Sequence, residues 1–160
     1  MNDVFLSYTG KESDYAEQLY DDLSRYGASV WFDKKSMPSD HGGDGHEIRQ
    51  ILRKAIQESR GLLLLVSGRS SASRWVRYEL ESLIALENKR MTRRIVALLI
   101  GPGSERDIPA GLESPKIHDL RDHFRPRYQR ARESIFRDLL SDFDLPHYRR
   151  VFDNTRPVYR

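Results

Sequence analysis

The stretch Leu62-Leu63-Leu64-Leu65-Val66-Ser67-Gly68-Arg69-Ser70-Ser71-Ala72-Ser73-Arg74-Trp75-Val76-Arg77-Tyr78-Glu79-Leu80 holds the most apolar run of the chain, then a serine-rich turn, then a helical pattern. A short apolar run such as Leu62 to Val66, bounded by Ser and Gly, reads as a strand buried on both faces of a parallel sheet. The pattern that follows has Val76, Leu80, Leu83 and Ile84 on one stripe, with Trp75 and Glu79 at its edge and one helical turn apart. The unit is strand, loop, helix, and in such sheets ligands bind where strands end and helices begin.

Glu79 has two readings at this level. A helical glutamate is ordinarily a solvated salt-bridge partner, yet its neighbours at i±3 and i±4 are Trp75, Val76, Ser82 and Leu83, none of them cationic. Glu81, by contrast, has Arg77 four residues before it. Glu79 is either paired through the tertiary structure or reserved for a ligand.

Upstream, Val4-Phe5-Leu6 is a short strand ended by Ser7-Tyr8-Thr9-Gly10. Thr9 and Glu12 form a capping-box pattern, and Ala16, Leu19, Tyr20 and Leu23 recur at helical spacing until Gly27. Ser29-Val30-Trp31-Phe32 is a second strand, closed by Asp33, with Trp31 and Phe32 read as sheet core. The polar segment Lys34 to Gly43 carries Pro38, Gly42 and Gly43 and reads as a long loop. Asp44 with Glu47 opens a second helix, whose stripe is Ile48, Ile51, Leu52, Ala55 and Ile56.

Downstream, the helix from Trp75 runs to about Arg90, and Ile95 to Ile100 is apolar throughout, a fourth buried strand broken by Gly101-Pro102-Gly103. A weak fifth strand is expected near Ile117, and Tyr128, Ala131, Ile135, Leu139 and Phe143 mark the last helix. Alternating strands and helices with right-handed crossovers give a parallel sheet covered on both faces. The fold class expected is α/β, a flavodoxin-like three-layer sandwich with a five-stranded parallel sheet in the order 2-1-3-4-5. Its switch point lies between the first and third strands, so Ser7 to Gly10 and Ser67 to Ser73 frame the ligand crevice. Helical position and topology thus bring Trp75 and Glu79 to the same rim.

One domain is expected, residues 1–144, followed by a basic and aromatic tail, 145–160, in a chain of 160 residues. In that tail Tyr148, Val151 and Phe152 suit a strap packed on the domain, and the alternative is a linker. Cysteine is absent, which excludes disulfides, thiolate metal sites and a cysteine nucleophile and fits a reducing compartment. The opening Met1-Asn2-Asp3-Val4 lacks the form of a signal peptide, and no apolar run approaches the roughly 18 residues of a membrane span. A cytoplasmic protein without membrane contact is expected.

Net charge is +3, and the excess lies between Lys116 and Arg160, with eleven Lys+Arg against seven Asp+Glu. Arg125, Arg127, Arg130, Arg132 and Arg137 are read as the wet face of an amphipathic helix, and nucleic acid is not an expected partner. Asp40 to His46 has metal-ligand residue types, but two histidines in a Gly-rich loop share no rigid face, so no metal site is assigned. The same glycines are followed by no Gly-Lys-Ser/Thr, which excludes a P-loop. Val66-Ser67 stands where a receiver domain ends its third strand on Asp, and the serines of 70–73 lack a Gly-x-Ser-x-Gly elbow.

Val4-Phe5-Leu6-Ser7-Tyr8, Val30-Trp31-Phe32-Asp33, Leu64-Leu65-Val66-Ser67 and Ser73-Arg74-Trp75-Val76-x-x-Glu79-Leu80 together resemble the TIR (Toll/interleukin-1 receptor/resistance protein) domain family, over about Val4 to Phe143. The last element is the most specific. The resemblance, to the prokaryotic NAD-cleaving type, implies an NAD glycohydrolase or ADP-ribosyl cyclase acting on the nicotinamide-ribose bond. It implies homotypic TIR-TIR assembly as activator and a role in antiviral defence signalling. Glu79 occupies the position of the family's essential catalytic glutamate. Ser7, Tyr8, Thr9, Asp33, Ser67, Arg74 and Trp75 are the substrate contacts so implied. No cofactor is called for, since NAD is the substrate. A non-catalytic TIR-TIR scaffold and a nucleotide-binding module without cleavage remain as alternatives.

The chemistry suits one carboxylate. Nicotinamide leaves a cationic pyridinium as a neutral molecule, so no general acid is required and the barrier lies in the ribosyl oxocarbenium ion. A carboxylate under the ribose stabilises that charge, as carboxylates do in glycoside cleavage. Trp75 offers a face for a ring and a cation-π contact with the pyridinium.

Overall fold

The computed structural model describes residues 2–8, 13–32, 45–67, 82–89, 94–108, 112 and 114–140. Among these, strands β1 (Asn2–Ser7), β2 (Val30–Phe32), β3 (Ser59–Val66), β4 (Arg94–Leu99) and β5 (Lys116–Asp119) form one sheet in the order β2-β1-β3-β4-β5. Every neighbouring pair is parallel. Helices α1 (Ser13–Arg25), α2 (Gly45–Gln57), α3 (82–89) and α4 (Phe124–Leu140) cover it, with a 3-10 turn at Glu105–Asp107. This is the expected flavodoxin-like α/β architecture.

Alternation along the strands explains the three layers. Val4, Leu6, Leu63, Leu65, Val96 and Leu98 pack on one side with Leu19 and Leu23 of α1 and Ile135 and Leu139 of α4. Phe5, Trp31, Leu62, Leu64, Val66, Ile95 and Ala97 pack on the other with Ala55 and Ile56 of α2 and Leu83 and Ile84 of α3. Strands with both faces apolar bury completely only between two helical layers. Each fully buried Leu or Ile contributes about 1.5–3 kcal/mol. Trp31 and Phe32 are core, as expected, with Trp31 stacked on Phe5 at a ring separation of 5.0 Å.

Gly27 ends α1 for a stated reason. Its φ is 88°, its N–H donates to the Ser24 carbonyl at 3.0 Å, and the Ala28 N–H reaches back to the Leu23 carbonyl at 3.1 Å. That is a Schellman motif, and the buried pair Leu23 and Ala28 supplies its apolar contact. The Asp3 carboxylate and the Ser29 backbone and hydroxyl then clamp the starts of β1 and β2, with Ser29 N–H donating to Asp3 Oδ2 at 2.8 Å.

The structure extends one expectation and corrects another. β3 begins at Ser59, before Leu62, because Asn2 pairs with Ser59 at the start of β1. Gly61 within it leaves room for α4, since a Cβ there would sit 3.1 Å from Leu139 Cδ1. Arg132, read as part of a wet face, is half-buried and lies 3.9 Å from the Asp22 carboxylate of α1. The capping residues Thr9, Glu12 and Asp44, Phe143 and the tail 145–160 lie outside the described residues. No helix among the described residues is long and apolar enough to cross a membrane.

Candidate functional site

The described helices that come next after β1 and β3 lie on opposite faces of the sheet. After β1 the chain enters α1, in the layer with Leu19 and Leu23. After β3 it next appears as α3, in the other layer, through Leu83 and Ile84. Adjacent parallel strands whose connections part in this way open a crevice between their carboxyl ends.

Three of the sequence-derived site residues are brought to that edge. Ser7 ends β1 opposite Leu64 of β3 and is half-buried. Tyr8 follows it, its ring packed 5.1 Å from that of Phe32 at the end of β2, which Tyr20 of α1 also approaches, at 5.5 Å. Ser67, the first residue beyond β3, is buried at 7% exposure. Thr9, Asp33, Arg74, Trp75 and Glu79 lie outside the described residues. The described residues flanking the last three are Ser67 and Ser82, and Phe32 is the neighbour of Asp33.

The β4 side of the carboxyl end of β3 is closed by Gly101-Pro102-Gly103 and by the end of the weak fifth strand. Ile100 N–H donates to the Val66 carbonyl at 2.9 Å and Gly103 N–H to the Ile100 carbonyl at 2.9 Å, folding the segment after β4 against the end of β3. Gly103 is the only residue type that fits there, because a Cβ would overlap the Val66 carbonyl oxygen. Arg121 holds this segment from the far side. Its Nη1 donates to the Gly103 carbonyl at 3.3 Å, while Nε and Nη2 grip the two oxygens of Asp119 at 2.9 and 2.8 Å. The Asp-x-Arg spacing at the end of a strand is the sequence signal for this fork. The side-chain hydrogen bond from Arg121, and then its backbone N–H, hold the Asp119 carboxyl down at about 2.

Under the other layer lies a polar inset missed by the helical wheel. Glu87 and Asn88 continue the stripe of Leu83 and Ile84 into the interior, at 1% and 7% exposure. Glu87 Oε1 accepts from Arg53 Nε of α2 at 2.9 Å. Among the described residues no group of three or more His, Asp or Glu could hold a metal ion.

The edge therefore combines the switch point between β1 and β3 with the hydroxyl and aromatic groups of Ser7, Tyr8 and Ser67 at the carboxyl ends of those strands. Such an arrangement can seat a small organic ligand that carries a ring and hydroxyls.

Comparison with solved structures finds the same architecture elsewhere. The TIR-STING receptor of C. gigas in complex with 2',3'-cGAMP is similar at 20% identity and a TM-score of 0.62, over 87% of this chain and 39% of that one. The TIR domains of the activated Roq1 resistosome, which directly recognises the pathogen effector XopQ, align at 19% identity and a TM-score of 0.53 over 96% and 82%. The TIR domain of the Toll-related receptor TRR-2 from Hydra magnipapillata aligns at 15% and 0.58 over 89% and 98%. This chain spans about two fifths of the length of the TIR-STING receptor (39%), and at these identities the likeness is one of fold. No curated protein matches it. The family model described as TIR domain matches residues 4–136, most of the chain and all five strands. The chain belongs to the TIR domain family.

Proposed function

We propose that this TIR domain is an NAD glycohydrolase or ADP-ribosyl cyclase, switched on by homotypic assembly and serving antiviral defence signalling. The observation that carries the reading is Ser73-Arg74-Trp75-Val76-x-x-Glu79-Leu80, inside the family match and directly after β3, the strand whose carboxyl end borders the crevice. Glu79 is the essential carboxylate in this proposal. Ser7, Tyr8, Thr9, Asp33, Ser67, Arg74 and Trp75 bind the substrate.

The bond between the ribose anomeric carbon and the pyridinium nitrogen breaks with its electron pair going to nicotinamide, which departs neutral. Glu79, ionised, stabilises the oxocarbenium ion and hydrogen-bonds the ribose hydroxyls. Water then adds at the anomeric carbon and loses a proton, giving ADP-ribose. If a nucleophilic nitrogen of the substrate's own adenine adds instead, the product is cyclic.

The rival reading, a TIR-TIR interaction module that only scaffolds, draws on the resistosome, whose TIR domains belong by description to an activated assembly. Incubation with NAD separates the two. Nicotinamide release that disappears in Glu79→Gln supports the enzyme, and intact NAD at every protein concentration supports the scaffold.

A further inference from the structure

The layer made by α1 and α4 carries two rows of opposite charge on its surface. Asp14 and Asp21 of α1 are exposed, with Glu17 half-buried between them. Residues three, four and seven apart share a helix face, so these acids make one row. On α4, Arg127 and Arg130 are exposed three residues apart, with Arg125 and Arg137 exposed beyond them. The first turn of α4 holds no acidic residue, although that end of a helix favours acids over cations. The opposite sign is scarce on each helix. Arg25 ends α1 at 4.0 Å from Asp22, and Glu133 of α4 lies 3.5 Å from Arg137. Among the described residues, Asp14, Asp21 and Arg130 stand in no ion pair.

Contacts between the two helices fix their relative height. The rings of Tyr15 and Phe124 stack at 3.8 Å, the Tyr128 hydroxyl meets Asp22 at 2.6 Å, and Tyr26 meets Phe136 edge-on at 4.9 Å. The helices therefore run in the same direction. Asp21 follows Tyr15 by six residues, as Arg130 follows Phe124, so the two stand at one level. A two-fold axis parallel to both helices turns a second copy so that its α1 faces this copy's α4 at unchanged height, and the reverse. Asp21 of each copy then meets Arg130 of the other, and Asp14 comes within about a turn of Arg127.

We propose that the face formed by α1 and α4 is a contact with a second copy of this chain, an isologous pair in which the acidic row of each copy meets the arginine row of the other. This contact rests on the homotypic-assembly reading and names a surface for it. Exposed ion pairs contribute little each and are screened by salt, so the pair is weak, forms at high protein concentration and loosens as salt rises. Such behaviour suits a domain switched on by gathering. A two-fold contact closes on itself as a dimer, and a larger array needs a further surface, a part left to Lys34 to Gly43.

The test is sedimentation velocity of the full chain over a range of concentrations, at about 50 and about 500 mM sodium chloride. The parent is expected to dimerise at the lower salt and to need at least about 10-fold more protein for the same dimer fraction at the higher. Asp14→Lys/Asp21→Lys carries two basic rows and Arg127→Glu/Arg130→Glu two acidic ones, so each alone should stay monomeric where the parent dimerises. Mixed in equal amounts they should form a heterodimer, because every contact again joins opposite signs. Thermal melting checks that both fold, and should one unfold, Asp21→Lys and Arg130→Glu alone carry the same exchange. Variants that still dimerise by themselves overturn this face and leave homotypic assembly to another surface. A mixture that stays monomeric overturns the second copy as the occupant and leaves the arginines to an anionic partner of another kind. A parent that is monomeric at every concentration overturns homotypic assembly, and this contact with it.

Discussion

The Tyr128 hydroxyl donates a 2.6 Å hydrogen bond to the Asp22 carboxylate, joining α4 to α1 inside the layer that covers one face of the sheet. Tyr128 is fully buried and Asp22 nearly so, and the cations near that carboxylate are farther away than this neutral donor, Arg132 at 3.9 Å and Arg25 at 4.0 Å. Tyr128→Phe should therefore cost about 1–3 kcal/mol, since it leaves a buried acceptor without its short donor. Urea unfolding at neutral pH measures it, and a loss of a few tenths would mean that Arg132 takes over the contact.

The same pair sets an alkaline limit. Burial, and then the Asp22 hydrogen bond, push the Tyr128 hydroxyl far above its ordinary value of 10.0. A group with a raised folded value gives stability that is complete below the unfolded value, and here that stability falls as pH rises beyond about 10, because only the unfolded chain releases the proton. Absorbance titration should find one tyrosine that ionises only with unfolding, and Tyr128→Phe should remove it.

Asp119 behaves in the opposite sense. Arg121 holds its carboxyl at about 2 against an ordinary 3.8, so its contribution is present above pH 3.8 and lost as pH falls toward 2. Both side chains are well exposed, at 38% and 43%, so the contribution is modest and screened by salt. In Arg121→Gln the Asp119 titration followed by NMR should move up toward 3.8, and the Gly103 amide should lose protection from exchange. An unmoved titration would contradict the fork.

Gly103 and Gly101 make a controlled comparison. At Gly103 an added Cβ would overlap the Val66 carbonyl oxygen, whereas at Gly101 it meets nothing within 4 Å but the φ of 54° disfavours any side chain. Gly103→Ala should cost about 1–3 kcal/mol or more by overpacking, and Gly101→Ala about 1 kcal/mol through backbone strain alone. Equal losses in denaturant melts would mean that the segment after β4 yields easily at the end of β3.

The order of strands was legible because four of the five carry apolar runs and the segments between them carry helical stripes or turn residues. The start of β3 was not, because Arg60 and Gly61 interrupt its apolar pattern, and the reasons for them lie in α4 and in the pairing of Ser59 with Asn2. β5 was faint because it is a sheet edge, with Ile117 39% exposed. The placement of Ser7, Tyr8 and Ser67 at the carboxyl ends of β1 and β3 followed from topology. Glu87 falls on the stripe of Leu83 and Ile84, but the partner that justifies a buried carboxylate there, Arg53, stands 34 residues earlier on another helix, where no wheel shows it. Arg132 was misjudged for the same reason, its partner Asp22 being on α1.

Assembly is expected to follow from the polar segment Lys34 to Gly43, whose length and composition suit contact with a second copy. The rate of nicotinamide release should rise more steeply than linearly with protein concentration. Strict proportionality, with light scattering that shows a monomer throughout, would count against activation by assembly.

Nicotinamide release from NAD by the full chain and by Glu79→Gln, followed by mass spectrometry at low and high protein concentration, is the most direct measurement. The substitution is nearly isosteric and uncharged, and no cation stands three or four residues from Glu79 in the sequence, so the melting temperature should stay within the equivalent of about 1 kcal/mol. The expected result is release by the parent chain, as ADP-ribose or its cyclic form, and none by the variant. Full release by a folded Glu79→Gln, or none by the parent at any concentration, would contradict the assignment.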